Sequence, residues 1–211
     1  MDFDGFFNSQ ETKQQISGVV VALVKSTQDP KGLGRVQITL PWIGNKDEMY
    51  WAKIATLMTG NNMGTVFYPE KDDEVLVAFE HGDIDSPYII GALWNKMDKP
   101  PEKNSDGKNN IKMIKTRSGH TIKIDDTEGK EKIEIIDKSE ENKICIDSSK
   151  KKISIECGGD IELSASKGKI VIKAKEIEIK STSSAKIEAS AGMDLKASGT
   201  MKIKGSMVNI N

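Results

Sequence analysis

Several residue types that support common chemistry are scarce in this chain of 211 residues. Two cysteines and two histidines are too few for a disulfide framework, and their spacing does not match a zinc site. The only arginines are Arg35 and Arg117, and 31 basic against 32 acidic residues give a net charge of −1. The sequence therefore disfavours metal, redox and general nucleic-acid-binding functions, and we expect no cofactor.

Long apolar runs are also missing. The longest aliphatic stretch, residues 19–24, is far shorter than the ~18 residues that a membrane-spanning helix requires. The start of the chain, Met1-Asp2-Phe3-Asp4, is acidic and lacks the basic region of a secretory signal peptide. We therefore expect a protein that is made and folded in the cytoplasm without a signal peptide.

Aromatic residues are confined to the first part of the chain: the last one is Trp94, and no Phe, Tyr or Trp follows it. Two architectures therefore share the sequence. Between them, Pro100-Pro101 is followed by a polar stretch that resists regular structure, which predicts a linker. The predicted organisation is a leader, an OB-fold barrel, the linker, a β collar and a repeat region, at residues 1–13, 14–95, 96–110, 111–143 and 144–211.

The first architecture is predicted to be a small barrel. Short runs rich in β-branched residues alternate with turn signals, at residues 16–24, 34–40, 50–57, 74–79 and 88–93. Five such strands must close on one another to hide their edges, as the OB fold does. The fold class is therefore all-β, with a five-stranded OB-fold barrel at the N-terminal side.

The second architecture is an internal repeat of about eight residues. Apolar residues recur in pairs separated by one residue, which is usually polar, so each pair marks a short strand with one apolar face. Such a strand cannot bury its apolar stripe alone, and the repeats are predicted to stack into a β-solenoid. Its predicted core consists of Ile144, Ile146, Ile153, Ile155, Ile161, Leu163, Ile170, Ile172, Ile177, Ile179, Ile187, Met193, Leu195, Met201 and Ile203.

The length of the repeat region bears on how many chains build this solenoid. One chain winding alone would give roughly three layers, about 14 Å at the ~4.8 Å strand spacing. Three chains winding together would give a rod of about 40 Å and would close the edges that a single chain leaves open. We therefore predict an intertwined homotrimer, a triple-stranded β-helix in the form of an octad-repeat β-prism.

The chain resembles the central spike proteins of contractile tails, which include phage baseplate protein V, the cell-puncturing needle of large myophages and the valine-glycine-repeat tip proteins of type VI secretion. The resemblance rests on an ordered series of segments followed by the octads: residues 34–38, 51–55, 69–79, 82–83, 87–95, 116–122 and 125–126. It implies a structural, non-enzymatic tail spike in the baseplate of a phage virion or a phage tail-like particle. This spike would be assembled in the bacterial cytoplasm and would puncture cells as part of a contractile injection system.

The resemblance also implies partners. Fused members of the family begin with large hub domains, whereas only a short leader precedes this barrel, so we expect a separate baseplate hub protein. Phe3, Phe6 and Phe7 in the leader are its candidate contacts, because aromatic residues so near the terminus are predicted to pack on a partner; packing on their own barrel is the alternative. A PAAR-type tip protein is expected as a cap at the C-terminal end, and the target membrane would be met only on firing.

The candidate chemical groups have simpler interpretations. His81 and Asp83 fall in a turn with no nucleophile specified, so His81 is predicted to be an ordinary loop residue. His120 follows a Ser-Gly turn and is predicted to make a structural hydrogen bond or to contact another chain. Cys157 is predicted to be buried in the repeat and Cys145 to face outward. We predict no catalytic, cofactor-binding or metal-binding residue.

Two other functional classes fit parts of the pattern. An OB barrel on a trimeric stalk is also typical of a module that binds oligosaccharide or single-stranded nucleic acid, which requires exposed aromatic residues and, for nucleic acid, a basic groove. With only Arg35 and Arg117 as arginines, we expect no nucleic-acid partner. A receptor-binding fibre would normally end in a globular head, whereas the octads run to the end of this sequence.

Overall fold

The structure is a computed structural model that describes residues 15–43 and 48–210. Phe3, Phe6 and Phe7 lie outside these residues. The described strands are β1 (Val19–Ser26), β2 (Val36–Thr39), β3 (Tyr50–Ile54), β4 (Thr59–Gly60), β5 (Met63–Gly64), β6 (Glu74–Phe79), β7 (Pro87–Leu93), β8 (Ile111–Lys115), β9 (Thr121–Asp125), β10 (Lys132–Ile136), β11 (Lys143–Asp147) and β12 (Lys152–Glu156).

Five of these strands close into a barrel in the order β1-β2-β3-β7-β6. Strand β1 pairs with both β2 and β6, which closes the cylinder, and β3 and β7 form its one parallel pair. In chain order this is the arrangement first-second-third-fifth-fourth of an OB barrel. The predicted all-β fold with a five-stranded N-terminal barrel is confirmed.

Strict alternation of apolar side chains produces the barrel core. In β6, Val75 and Val77 are fully buried and Phe79 is 9% exposed, because every second side chain of a strand points to the same face. Ala22 and Val24 of β1 and the inward residues of β2 and β3 complete the core. Of the three tryptophans, Trp42 and Trp94 are largely exposed, whereas Tyr50 and Phe79 are aromatic members of the core.

Four of the five predicted barrel strands differ from the observed ones at their ends, and two of them differ by three residues at one end. The first begins at Val19 rather than residue 16, because Ile16 instead donates its N–H to the Gly82 carbonyl (N···O 3.0 Å). The third ends at Ile54 rather than residue 57: Ala55 still donates to the Ile89 carbonyl (2.8 Å), and the chain then leaves the barrel for the small β4–β5 hairpin. These local contacts leave the barrel topology unchanged.

A second sheet is a five-stranded antiparallel meander in the order β12-β11-β10-β9-β8. It runs across the predicted boundary between collar and repeats, residues 143–144, without a break. The first two apolar pairs of the repeat lie within this sheet, where Ile144 is opposite Ile155 and Ile146 is opposite Ile153. A tight turn joins β11 to β12, in which Asp147 accepts hydrogen bonds from the Ser149 hydroxyl and from the Lys150 N–H.

Residues 161–211 form a separate compact unit. Over its described part, residues 161–210, no strand is formed within the single chain. The predicted β-helix pairs strands of different chains, so it stays a prediction. No helix in the described residues is long and apolar enough to cross a membrane.

Candidate interaction surfaces

One face of the second sheet is made almost entirely of isoleucine. The antiparallel register places side chains in rows across the five strands. Two adjacent rows on the same face contain nine isoleucines, with Lys112 at one corner. This isoleucine face consists of Ile114, Ile122, Ile124, Ile133, Ile135, Ile144, Ile146, Ile153 and Ile155.

Each residue of the isoleucine face is between 41% and 70% exposed in the single chain. Burying an isoleucine side chain fully stabilises by roughly 1.5–3 kcal/mol. With about half of each side chain still available, covering the nine would contribute on the order of 10 kcal/mol per chain. A continuous apolar surface of this kind marks an interface rather than a solvated face.

The opposite face of the sheet is charged and internally paired. Glu134 is 3% exposed, and its carboxylate oxygens lie 2.6 Å from Lys143 Nζ and 3.0 Å from Lys132 Nζ. Burial by itself would raise the pKa of Glu134, but the hydrogen bonds from Lys143 and Lys132 outweigh it and the pKa is lowered. The carboxylate therefore stays ionised between its two lysines, and this face needs no partner to satisfy its charges.

The two cysteines differ from their predicted surroundings. Cys145 lies on the face opposite Ile144 and Ile146, as alternation requires. It is nevertheless only 8% exposed, because it lies beside Glu134 in the same row of the charged face. Cys157, predicted to be buried, is exposed; its sulfur lies 3.4 Å from the Asp160 carbonyl oxygen and 3.4 Å from the Gly159 nitrogen. It follows the end of β12, where the sheet no longer covers the chain.

The acidic residues at the sheet's turns organise those turns. Hydrogen bonds from the Ser149 hydroxyl (2.7 Å) and the Lys150 N–H (2.8 Å) lower the pKa of Asp147 to about 2. Asp137 accepts bonds from Ser139 and Asn142, and its pKa is also lowered. His120 Nδ1 accepts the Lys138 N–H at 3.2 Å, which confirms its structural interpretation.

The predicted core residues beyond the second sheet remain uncovered in one chain. Their side chains are 46% to 80% exposed, and the set consists of Ile161, Leu163, Ile170, Ile172, Ile177, Ile179, Ile187, Met193, Leu195, Met201 and Ile203. Alternate residues between them are mostly charged or polar. These positions are exposed in the single chain, and their place in a trimer core stays a prediction.

Strand directions give the barrel two distinct ends. Strands β1, β3 and β7 run one way and β2 and β6 run the other. We call the end at which β1, β3 and β7 finish the upper end, and the opposite end the lower end. The upper end contains the β1–β2 turn, residues 55–73 between β3 and β6, and the chain that leaves β7 toward the second sheet. At the lower end lie residues 15–18, which enter the barrel, and the 3₁₀ turn Glu80–Gly82.

An open cleft lies at the lower end. Its apolar lining includes Trp42, Ile43, Tyr50 and Ile84, and its polar lining includes His81 and Asp83. Gly82 has φ +80° and lies where an added Cβ would approach Ile16 backbone atoms at 3.2–3.3 Å, so a residue without a side chain is required. The cleft therefore borders the point where the leader joins the barrel.

Two aromatic residues on the outer barrel wall lie beside cations, one of which also has an acidic partner. Arg35 donates to both carboxylate oxygens of Asp29 (Nη2–Oδ1 2.8 Å, Nε–Oδ2 3.0 Å) and lies 5.2 Å from the Trp51 ring centroid. The hydrogen bond from Arg35 holds the pKa of Asp29 well below its usual range. Lys53 lies over Tyr88, whose hydroxyl donates to Glu80 at 2.6 Å. This wall is a neutralised network rather than a free basic groove.

An ion pair links the barrel to the second sheet. Arg117 Nη1, in the β8–β9 turn, lies 2.7 Å from a carboxylate oxygen of Glu70, in the segment before β6. Both side chains are mostly exposed, so the pair stabilises by at most about 1 kcal/mol. It nevertheless places the β8–β9 turn beside the upper end of the barrel. In the described residues no cluster of three or more His, Cys, Asp and Glu side chains is arranged to hold a metal ion.

Comparison with known proteins identifies the barrel. Residues 20–94 match the family model of the type VI secretion system/phage-baseplate injector OB domain. The chain is 27% identical over 135 residues to the actin cross-linking toxin VgrG1 of Vibrio cholerae, across 58% of this chain and 12% of that protein. It is 31% identical over 103 residues to the type VI secretion system spike protein VgrG2a of Pseudomonas aeruginosa, across 44% of this chain and 12% of the relative.

A third relative is the type VI secretion system spike protein VgrG3 of Vibrio cholerae, 27% identical over 133 residues, across 57% of this chain and 13% of the relative. The chain thus spans only about an eighth of the length of these relatives. Its matched segment coincides with the closed barrel, whose strand order is that of an OB domain. On this sequence and fold evidence, residues 20–94 are an OB domain of the type VI secretion system/phage-baseplate injector family, and the chain is similar to type VI secretion system spike proteins.

Proposed function

We propose that this protein is the homotrimeric central spike of a contractile injection system. Its barrels dock on a separate hub protein, and its C-terminal rod leads when the tube is driven into a target cell. The work is mechanical and no bond is broken by catalysis. The protein is assembled in the bacterial cytoplasm and then resides in the baseplate of a phage virion or a tail-like particle.

The isoleucine face is the observation that carries this proposal. Nine partly exposed isoleucines on one side of a sheet, with paired charges on the other side, require an apolar partner. Three copies of the sheet around one axis supply it, since each apolar face then points inward and each charged face points to water. The sheet's two edge strands, β8 and β12, would also be brought beside edges of neighbouring copies.

The octads extend the same arrangement beyond the sheet. Residues 161–210 repeat an apolar stripe that one chain leaves uncovered, and three intertwined chains would bury it layer by layer. Strands that run across the axis and pair above and below resist local unfolding under load. Charged residues between the apolar pairs, such as Lys173, Glu178 and Lys180, would keep the outer faces soluble and limit side-by-side aggregation.

The two ends of the protein would meet different partners. The lower end of the barrel combines an apolar cleft with the attachment point of the leader, and we assign hub contact to this end and to Phe3, Phe6 and Phe7. A PAAR-type tip protein would cap the far end of the rod. Binding of single-stranded nucleic acid is disfavoured, because Arg35 and Lys53 are already held by Asp29 and by Tyr88.

Electron microscopy of purified particles tests the proposal. Particles are isolated from the producing bacterium and labelled with an antibody fragment raised against the full-length chain. We expect three-fold density with label at the centre of the baseplate, on the tube axis. Label on peripheral fibres would instead support a receptor-binding role and would contradict the spike assignment.

A further inference from the structure

An uncharged arm projects from the upper end of the barrel. Residues 55–68 contain no Asp, Glu, Lys or Arg, although 30% of the whole chain is charged. The segment leaves β3, forms the β4–β5 hairpin and returns toward β6. We call residues 55–68 the arm.

Internal hydrogen bonds hold the backbone of the arm. The Thr65 N–H donates to the Met58 carbonyl (3.0 Å), and the Thr56 hydroxyl donates to the Thr65 carbonyl (2.8 Å). Gly64 has φ +152°, and an added Cβ there would lie 2.7 Å from the Met58 carbonyl oxygen, so only glycine fits. The backbone therefore presents the arm's side chains in a fixed arrangement.

Five large apolar side chains of the arm face solvent in the single chain. Leu57 is 94% exposed, Val66 74%, Phe67 67%, Met63 64% and Met58 53%. Together they offer on the order of 600 Å² of apolar surface, as much as the largest patch of an ordinary monomer. This approaches the ~800 Å² that each partner contributes to a standard protein interface.

The arm lies at the end of the barrel opposite the proposed hub contact. It lies at the upper end of the barrel, where Glu70 contacts Arg117 of the second sheet, whereas the proposed hub contact is at the lower end. In a cyclic trimer, equivalent residues lie at the same height along the axis. If the barrels stand side by side around that axis, an arm at the upper end meets the upper end of a neighbouring barrel.

The upper end carries a second exposed apolar surface that suits this contact. Trp94, directly after β7, is 70% exposed, Met97 87% and Leu33 68%. Met97 sits in a turn held by Asn95, whose side-chain oxygen accepts the Met97 and Asp98 N–H groups at 2.7 Å. Each copy thus has both an arm and a receiving surface, and a contact between unlike surfaces closes into a ring when the rotation is three-fold.

We infer that the arm of each copy packs on Trp94, Met97 and Leu33 of a neighbouring copy. The inference rests on the proposed trimer and adds a contact made by the barrels. The inference predicts that the three barrels contact one another directly and are not connected through the rod alone. The Gly64 backbone and the Asn95 turn are the features that hold the two surfaces in shape.

Disulfide trapping in the full-length chain tests this contact. The background variant carries Cys145→Ala and Cys157→Ala. Met63→Cys in the arm is combined with Met97→Cys on the receiving surface. After mild oxidation, the expected result is a covalent trimer on a non-reducing denaturing gel and loss of the monomer band. The matched control combines Met63→Cys with Met49→Cys, an exposed methionine at the lower end, and should stay monomeric on that gel.

Light scattering on the same samples separates this inference from the proposed function. A trimer in solution without Met63–Met97 cross-links would overturn the arm contact and leave the spike assignment standing. Cross-linking of the lower-end control to the same extent would also overturn it, because the reaction would then report random collision. A monomer in solution would overturn both.

Discussion

Ile135→Asp is a direct perturbation of the isoleucine face. Ile135 is central in its row, between Ile122 and Ile144, and is 49% exposed in the single chain. In the proposed trimer the change places three carboxyl groups near one axis. Each substitution removes apolar contact worth about 1 kcal/mol and adds the desolvation of a carboxyl group, which costs several kcal/mol when unpaired.

The effect is multiplied by symmetry. With a desolvation cost of about 4 kcal/mol for the carboxyl group, the penalty is about 5 kcal/mol per chain and about 15 kcal/mol per trimer, roughly eleven orders of magnitude in the assembly constant. Light scattering at micromolar concentration should therefore show loss of the trimer. Because burial raises the pKa of a carboxyl group, lowering the pH to about 5 should restore part of the trimer by neutralising the new aspartates.

Lys115→Asp is the matched control. Lys115 lies on strand β8, is exposed, and belongs to the charged face, so the same new side chain is introduced on the other side of the sheet. We expect an unchanged trimer. Equal loss of the trimer in both variants, or an intact trimer in Ile135→Asp, would refute the assignment of the isoleucine face as the interface.

Two further predictions concern the charged face and its turns. Glu134→Gln removes the buried carboxylate between Lys132 and Lys143 and should lower the free energy of unfolding by about 1–3 kcal/mol, seen as a lower Tm with the trimer mass retained; an unchanged Tm would contradict the role of this pair. Asp147 has its pKa lowered to about 2, so its stabilising contribution is complete above about pH 4 and disappears as the pH falls through about 2. Urea unfolding between pH 2 and 5 should therefore show a flatter pH dependence in Asp147→Asn, and an identical slope would show that this carboxyl group is not involved.

The barrel was predictable from the sequence because its signals are local. Runs such as residues 74–79 alternate between apolar and outward positions, and Gly and Pro turns separate them, so strand identity followed from short stretches alone. The residues at which the strands begin and end were less predictable. Whether Ile16 continues β1 or bonds to Gly82 depends on a residue more than sixty positions away.

The isoleucine face was only partly predictable. Ile144, Ile146, Ile153 and Ile155 belong to the regular eight-residue spacing, whereas Ile122 and Ile124 show the same alternation in strands with longer turns. A search for a fixed period therefore misses the collar, although alternation alone places these residues on one face. The burial of Cys145 beside Glu134 was not predictable, because it depends on the register between β10 and β11.

The exposure of the arm was not predictable from its composition. Residues 55–68 lack charge and contain glycines, which is equally typical of a buried strand and of an exposed loop. Only the three-dimensional arrangement shows that Leu57 and Phe67 are left uncovered. Apolar composition identifies a surface that will be buried, but not the molecule that buries it.

The mass of the full-length protein in solution tests the central claim most directly. Each chain has a mass of 23.2 kDa, and a homotrimer built on the isoleucine face and the octads has a mass of about 70 kDa. Light scattering coupled to size-exclusion chromatography should give that value at every concentration tested, down to the nanomolar range. A stable species of 23.2 kDa would contradict the trimer, the rod and the mechanical function together.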